Sequence, residues 1–158
     1  MNMESIRRFK TKLTSGSVFG PFSKTSDPAF IEIMGNSGFD FVILDLEHGP
    51  TSVQHLQNLI RAAEISGIFP IVRVKEHNLS VIGEVLDIGA GGIQVPQISD
   101  DRTAREVIHQ LAKVTPESWR PGRASSIALR RKEARVEEGW EPGIIVEQVF
   151  PSERPAVQ

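Results

Sequence analysis

The stretch that decides the fold is Phe39 to Leu46, F-D-F-V-I-L-D-L, followed at once by Glu47-His48-Gly49-Pro50. It is nearly continuous in apolar residues. That is the pattern of a strand covered on both faces, as in a parallel sheet. The two flanks support this. Upstream, Ser26-Asp27-Pro28 places a capping side chain before proline at a first helical position. Phe30, Ile33 and Met34 then recur on one helical face, with Gly35 and Gly38 as stops. Downstream, Thr51 or Ser52 caps a second helix, in which Leu56, Leu59, Ile60 and Ala63 repeat at helical spacing before Gly67.

The alternation continues in both directions. Ser17–Phe22 (S-V-F-G-P-F) is read as a first strand, Phe69–Val74 (F-P-I-V-R-V) as a third and Gly92–Ile98 (G-I-Q-V-P-Q-I) as a fourth. A helix over Leu79–Ile88 carries Ile82, Val85 and Leu86 inward. Another, capped by Asp100 or Asp101, carries Ala104, Val107, Ile108 and Leu111. Four β/α units in succession predict an α/β fold with parallel strands and right-handed crossovers. Gly143–Phe150 (G-I-I-V-E-Q-V-F) is a candidate fifth strand. A closed eight-stranded barrel takes about 250 residues, and the sequence has 158. The expectation is a partial TIM (β/α) barrel of four to five units.

Composition removes other classes. There is no cysteine, hence no disulfide framework, thiol nucleophile or thiolate metal site. With 18 Lys+Arg against 20 Asp+Glu, bulk electrostatic binding of nucleic acid is not expected. No apolar run approaches the roughly 20 residues of a membrane span, and Met1–Lys12 lacks the apolar core of a secretory signal. A cytoplasmic protein is expected.

Beyond Thr115 the character changes. Residues 1–116 hold 11 basic and 13 acidic residues, whereas the last 42 hold 7 and 7. The tail is denser in charge but has no net positive field for nucleic acid. Two segments are therefore expected: 1–116, the N-terminal half of a barrel, and 117–158, a divergent charged tail, irregular or helical, with Arg130–Glu138 as its helix.

Candidate chemistry lies at strand ends, where β/α barrels build their sites. His48 follows the second strand, and an imidazole titrates near neutrality. Asp45 and Glu47 stand beside it and share a face if the strand persists. The structural alternative for His48 is an imidazole satisfied by loop backbone. Arg73 sits among Ile71, Val72 and Val74, and a guanidinium there needs a carboxylate or a ligand anion. Its fork of donors suits a 2-oxo acid or the derived enolate, while the alternative is a structural ion pair. Asp87 interrupts an apolar helix face. It is either a surface or capping acid, or a carboxylate that orients His48. His55, His77 and His109 read as surface residues, and no two histidines have metal-binding spacing.

These motifs resemble one family. Gly38–Pro50 (G-F-D-F-V-I-L-D-L-E-H-G-P), Pro70–Val74, Leu86–Ile98 and Asp100–Arg105 together resemble the HpcH/HpaI aldolases, which include 2,4-dihydroxyhept-2-ene-1,7-dioate and 2-keto-3-deoxy-sugar-acid aldolases and are related to citrate lyase β. The resemblance covers residues 5 to 116. It implies a TIM barrel with a divalent metal, Mg²⁺ or Mn²⁺, that cleaves a 4-hydroxy-2-oxo acid to pyruvate and an aldehyde. By the same resemblance, His48 takes the general-base role, Asp87 is its acidic partner and Arg73 stabilises the enolate. Asp45 and Glu47 match acids beside the metal's water network. The small-molecule partner is a 2-oxo acid, and a homo-oligomer is expected, with no nucleic acid or membrane partner.

The family pattern then departs. Pro116–Arg123 (P-E-S-W-R-P-G-R) lacks the glycines of a P-x-G-x-R-G loop, and Ile144–Phe150 does not present Q-x-E. Glu147 is the best available metal-ligand candidate, and no second ligand is found. The expectation is a truncated or frame-shifted aldolase, or alternatively an inactive fragment that at most binds a keto-acid weakly. Translation of the coding DNA past codon 116 in the other two frames tests the first idea: absence of a G-x-R-G loop and a G-P-x-D-L segment in both frames sinks it.

Overall fold

The computed structural model describes residues 3–76, 78–98, 100, 102–107 and 144–146. Helix α1 (Met3–Ser15) precedes strand β1 (Phe22–Ser23). The chain continues through α2 (Pro28–Asn36), β2 (Phe41–Asp45), α3 (Val53–Ser66), β3 (Phe69–Arg73), α4 (Leu79–Asp87) and β4 (Gly92–Val95). Residues 102–107 are helical, and β5 (Ile144–Val146) follows. The five strands form one sheet in the order β1-β2-β3-β4-β5, every pair parallel. This is the α/β, partial-barrel arrangement that the alternation of strands and helices implies.

Helix boundaries follow the local chemistry. The Asp27 side chain accepts from Ala29 N at the start of α2, with Pro28 in the first turn. Ser52 caps α3 by accepting from His55 N, and the helix stops at Gly67, whose φ of 75° is left-handed. Glycine adopts that conformation without Cβ strain. Asn78 caps α4, and Asp100 accepts from Thr103 N ahead of helical residues 102–107.

Two expectations are corrected. The first strand does not run over Ser17–Phe22. Its paired residues are Phe22 and Ser23 only, because Phe22 registers with Ile43 and the preceding segment is held by isolated bonds such as Asp40 N to Phe19 O. In α2 the buried face is not Phe30, Ile33 and Met34. Ile31 is fully buried and Met34 packs beside it, while Phe30 and Ile33 are exposed. Glu32 and Asn36 mark only a narrow polar side, and packing against the sheet and α3 turns Ile31 inward in a way that periodicity does not encode.

Strand alternation splits the core in two. Val42, Leu44, Leu46, Val72, Val74, Ile93 and Val95 pack under the helices with Ile31, Leu56, Leu59, Ile60 and Ile82. Ile43, Phe69 and Ile71 face the other way and meet Phe9 of α1. The Phe9 ring stacks on Phe69 at 4.2 Å and lies edge-on to Phe41 at 6.0 Å. Helix α1 thus closes the N-terminal end of the inner face, near the first residues of β2 and β3. The C-terminal ends of the same strands carry the polar residues. No helix among the described residues is long and apolar enough to cross a membrane.

Candidate active site

One row of the sheet is polar. Asp45 registers with Arg73, and Arg73 with Gln94. With a side-chain period of two, these residues share the inner face with Ile43 and Ile71 and lie at its C-terminal rim. Asp45 is the hub. Arg73 Nε donates to its Oδ1 at 3.0 Å, and an Arg73 terminal nitrogen donates to Oδ2 at 2.8 Å. This is the bidentate fork geometry that favours arginine over lysine. The same Oδ1 accepts from the backbone amides of Glu47 (3.0 Å) and His48 (3.2 Å).

Asp45 therefore does two things: it holds the guanidinium, and it pins the loop that carries His48. Its side chain is wholly buried. Burial works against its charge, but the hydrogen bonds from Arg73 and from the two amides outweigh that penalty. They hold its carboxyl below the ordinary value. Gly49 completes the turn at close quarters, since a Cβ there would run into the Asp45 carbonyl oxygen.

Glu47 joins from the loop. Its Oε2 lies 3.2 Å from Arg73 Nε and 3.7 Å from His48 Nε2. The two carboxylates do converge, but not through a continued strand. β2 ends at Asp45, and the turn beyond it swings Glu47 back over Arg73. The Arg73 side chain is 14% exposed and its carboxylate partners 10% or less, whereas His48 is 60% exposed. A shielded cation thus lies beside an open imidazole.

The structural ion pair considered for Arg73 is present. Sequence reasoning missed two neighbours. The Arg73 guanidinium lies 4.9 Å from the centroid of the Phe22 ring, a cation–π contact that keeps water from one of its faces. Gln94 is buried next to Arg73. The signal for Gln94 was available: like Arg73, it is a polar residue inside an apolar strand.

Asp87 is placed elsewhere. It is the exposed last residue of α4, and the chain then turns so that Gly91 N bonds Pro70 O at the start of β3. That is the N-terminal rim, whereas His48 follows the C-terminal one. β2 alone separates the rims by about 13 Å, so a single chain does not bring Asp87 to His48. His55 is exposed on α3. His77, His109, Glu147 and nearly all of the charged tail lie outside the described residues.

The donor set among the described residues does not fit a divalent metal. Both Asp45 oxygens are engaged by Arg73, and Glu47 already bridges Arg73 and His48. No three His, Asp or Glu side chains among the described residues converge on one point. An Mg²⁺ site needs carboxylate oxygens free to turn toward the ion.

A cavity of about 170 Å³ opens at the opposite end, lined by Arg8, Phe9, Lys12, Asp40, Glu64 and Phe69 among others. Lys12 there ion-pairs with Asp40 and lowers the pKa of that carboxyl. This cavity lies at the N-terminal rim, away from the Asp45–Arg73 row. The shielded guanidinium and the histidine loop belong to that row and not to this cavity.

Residues 19–134 match the model of the HpcH/HpaI aldolase/citrate lyase family. The chain belongs to that family. The match runs beyond residue 116, into the charged segment. Among HpcH/HpaI relatives, the chain is 32% identical over 116 residues to a hydroxypyruvate/pyruvate aldolase of Roseobacter denitrificans, covering 73% of this chain and 45% of the relative. Among solved structures, it is similar to an HpcH/HpaI aldolase from Desulfitobacterium hafniense, with a TM-score of 0.61 and 31% identity. That match covers 68% of this chain and 42% of the other. It is also similar to the citrate synthase SbnG, with a TM-score of 0.59 and 39% identity over the same shares. The chain spans about half the length of the curated relatives it matches.

Proposed function

We propose that this chain carries the oxo-acid-binding half of an aldolase-type carbon–carbon lyase that cleaves 4-hydroxy-2-oxo acids to pyruvate and an aldehyde. The observation that supports this most is Arg73, a shielded guanidinium held by two carboxylates at the strand rim beside His48. Family membership and a relative named as a pyruvate aldolase point the same way.

The chemistry needs a base and a positive charge. His48, open to solvent, takes the proton of the substrate's C4 hydroxyl. The C3–C4 bond then breaks, and the aldehyde leaves with C4. The bonding electron pair moves through C3 onto the C2 oxygen, giving the pyruvate enolate. Arg73 stabilises the oxyanion where that charge develops. Protonation at C3 then yields pyruvate. The Glu47 carboxylate lies 3.7 Å from His48 Nε2. In the family the reaction is supported by a divalent metal. Among the described residues, Asp45 and Glu47 are already engaged by Arg73 and do not fit one.

Segment 1–116 is proposed as the barrel half that holds this row, with 117–158 as an appended segment. A second reading, an inactive fragment that only binds oxo-acids, is favoured by the engagement of Arg73 with Asp45 and Glu47. A retro-aldol assay with a 4-hydroxy-2-oxo acid and Mg²⁺, detecting pyruvate, separates the two. Activity that falls about 10²-fold or more in His48→Ala supports the lyase. Equal rates for parent and His48→Ala refute it, and calorimetry with oxalate then tests the binding-only reading.

A further inference from the structure

The ion cluster at the strand rim lacks the charge that an anionic substrate needs. Arg73 stands between Asp45 and Glu47, so the three side chains together carry a net charge of −1. An oxo acid is itself an anion. Its C2 oxygen can turn to Arg73, but its C1 carboxylate then meets two other carboxylates, and like charges oppose its binding. A second cation within reach of the guanidinium is needed.

The lean of Arg73 shows on which side that cation lies. Neighbouring strands are about 4.8 Å apart, which puts β3 and β1 about 10 Å apart across β2. The Arg73 guanidinium nevertheless bonds Asp45 of β2 and lies 4.9 Å from the Phe22 ring of β1. It therefore leans across β2 toward β1. Gln94, on β4, lies behind it. On β1, Ser23 registers with Leu44, so the next residue, Lys24, stands at the C-terminal rim level with Asp45. Lys24 is exposed and forms no hydrogen bond or ion pair among the described residues. Its charge rides on a flexible four-carbon stem, long enough to span one strand spacing. Lys75 is a second exposed cation at this rim, but it follows Arg73 on the strand from which the guanidinium leans away.

We propose that Lys24 is a binding and specificity-determining residue of the oxo-acid site: its ammonium holds the C1 carboxylate while Arg73 takes the C2 oxygen. The proposal rests on the reading of this rim as an oxo-acid site, and it adds the residue that restores charge balance there. With Lys24, the charges of the four side chains cancel before the anion enters. The same contact selects the free oxo acid over its ester or amide.

Calorimetry with oxalate, without added metal, on the 158-residue chain tests this. Lys24 is exposed, so its substitution should leave the urea midpoint unchanged. Lys24→Met keeps an unbranched apolar side chain and removes the charge. It should weaken oxalate about fivefold, the upper range for an exposed ion pair. Lys24→Glu should weaken it further, and Lys24→Arg should restore it. The difference between parent and Lys24→Met should shrink in about 1 M salt, where screening acts over about 3 Å. Lys75→Met should leave the affinity as it is. Equal affinities for parent and Lys24→Met overturn the proposal. So does a loss of the same size in Lys75→Met, which would reflect net charge alone. Arg73→Lys tells this failure from a failure of the site. If it weakens oxalate and Lys24→Met does not, only the role of Lys24 falls. If oxalate does not bind the parent, or binds Arg73→Lys equally well, the oxo-acid reading of the rim falls and the proposal with it.

Discussion

Asp45→Asn is the most informative single change, because it removes one charge while keeping shape. Asparagine keeps an acceptor for the Glu47 and His48 amides, so the loop bonds survive. What is lost is the anion facing Arg73, and the new amide sets donors against the guanidinium donor that lies 2.8 Å from Oδ2. Removing one partner of a buried pair costs about 3–5 kcal/mol. Glu47 remains 3.2 Å from Arg73 Nε and recovers part of this. The expected net loss is about 2–3 kcal/mol, against less than about 1 kcal/mol for an exposed pair. With a urea slope of about 2 kcal/mol per molar, the midpoint should fall by about 1–1.5 M. The pH dependence has a definite sign. The Asp45 carboxyl is lowered in the folded state, so its contribution is complete well above the unfolded value of about 3.9 and is lost as pH falls toward the folded value. The deficit of Asp45→Asn should therefore shrink from pH 7 to pH 3. A deficit below 1 kcal/mol at pH 7, or one that does not shrink at pH 3, refutes the account of Asp45 as hub.

Other changes have simpler expectations. Leu44→Ala opens the fully buried layer between sheet and helices and should cost about 2–5 kcal/mol by urea denaturation. Ser52→Ala removes the α3 cap and should cost about 1 kcal/mol, read from the same transition. Gly49→Ala forces the turn away from the Asp45 carbonyl and so displaces His48. Oxalate affinity, measured by calorimetry, should drop, and unchanged affinity would show that the loop does not border the ligand.

Much of the scaffold was legible in the sequence, because local rules and tertiary packing agree there. Asp27-Pro28, Ser52 and Gly67 mark helix ends by chemistry that needs no distant contact. The inner face of α2 was misread because Glu32 and Asn36 mark only a narrow polar side, and packing against the sheet and α3, which turns Ile31 inward, is not encoded in spacing. At the site, Arg73 was legible as a charge in an apolar strand that needs an acidic partner, but which carboxylates supply it was not. That Glu47 arrives by a turn, and that Asp45 also bonds the His48 amide, depends on backbone geometry that spacing does not encode. Asp87 was singled out as an acid on an apolar helix. The reversal of chain direction between strand and helix places it at the other rim. Gln94 was visible by the logic that found Arg73, but its neighbour across the sheet is a matter of register.

The sequential order of the strands also bears on how the chain folds. Ile43 follows Phe22 by 21 residues, Ile71 follows Ile43 by 28, and Gly92 follows Ile71 by 21. Each pairing closes a short loop, so every β/α unit can dock on its predecessor as soon as it leaves the ribosome, without waiting for distant sequence. The β4–β5 pairing joins Ile93 to Ile144 across 51 residues. Roughly doubling the loop adds about 0.6 kcal/mol of closure entropy. β1 to β4 should thus assemble in order of synthesis, with β5 joining last.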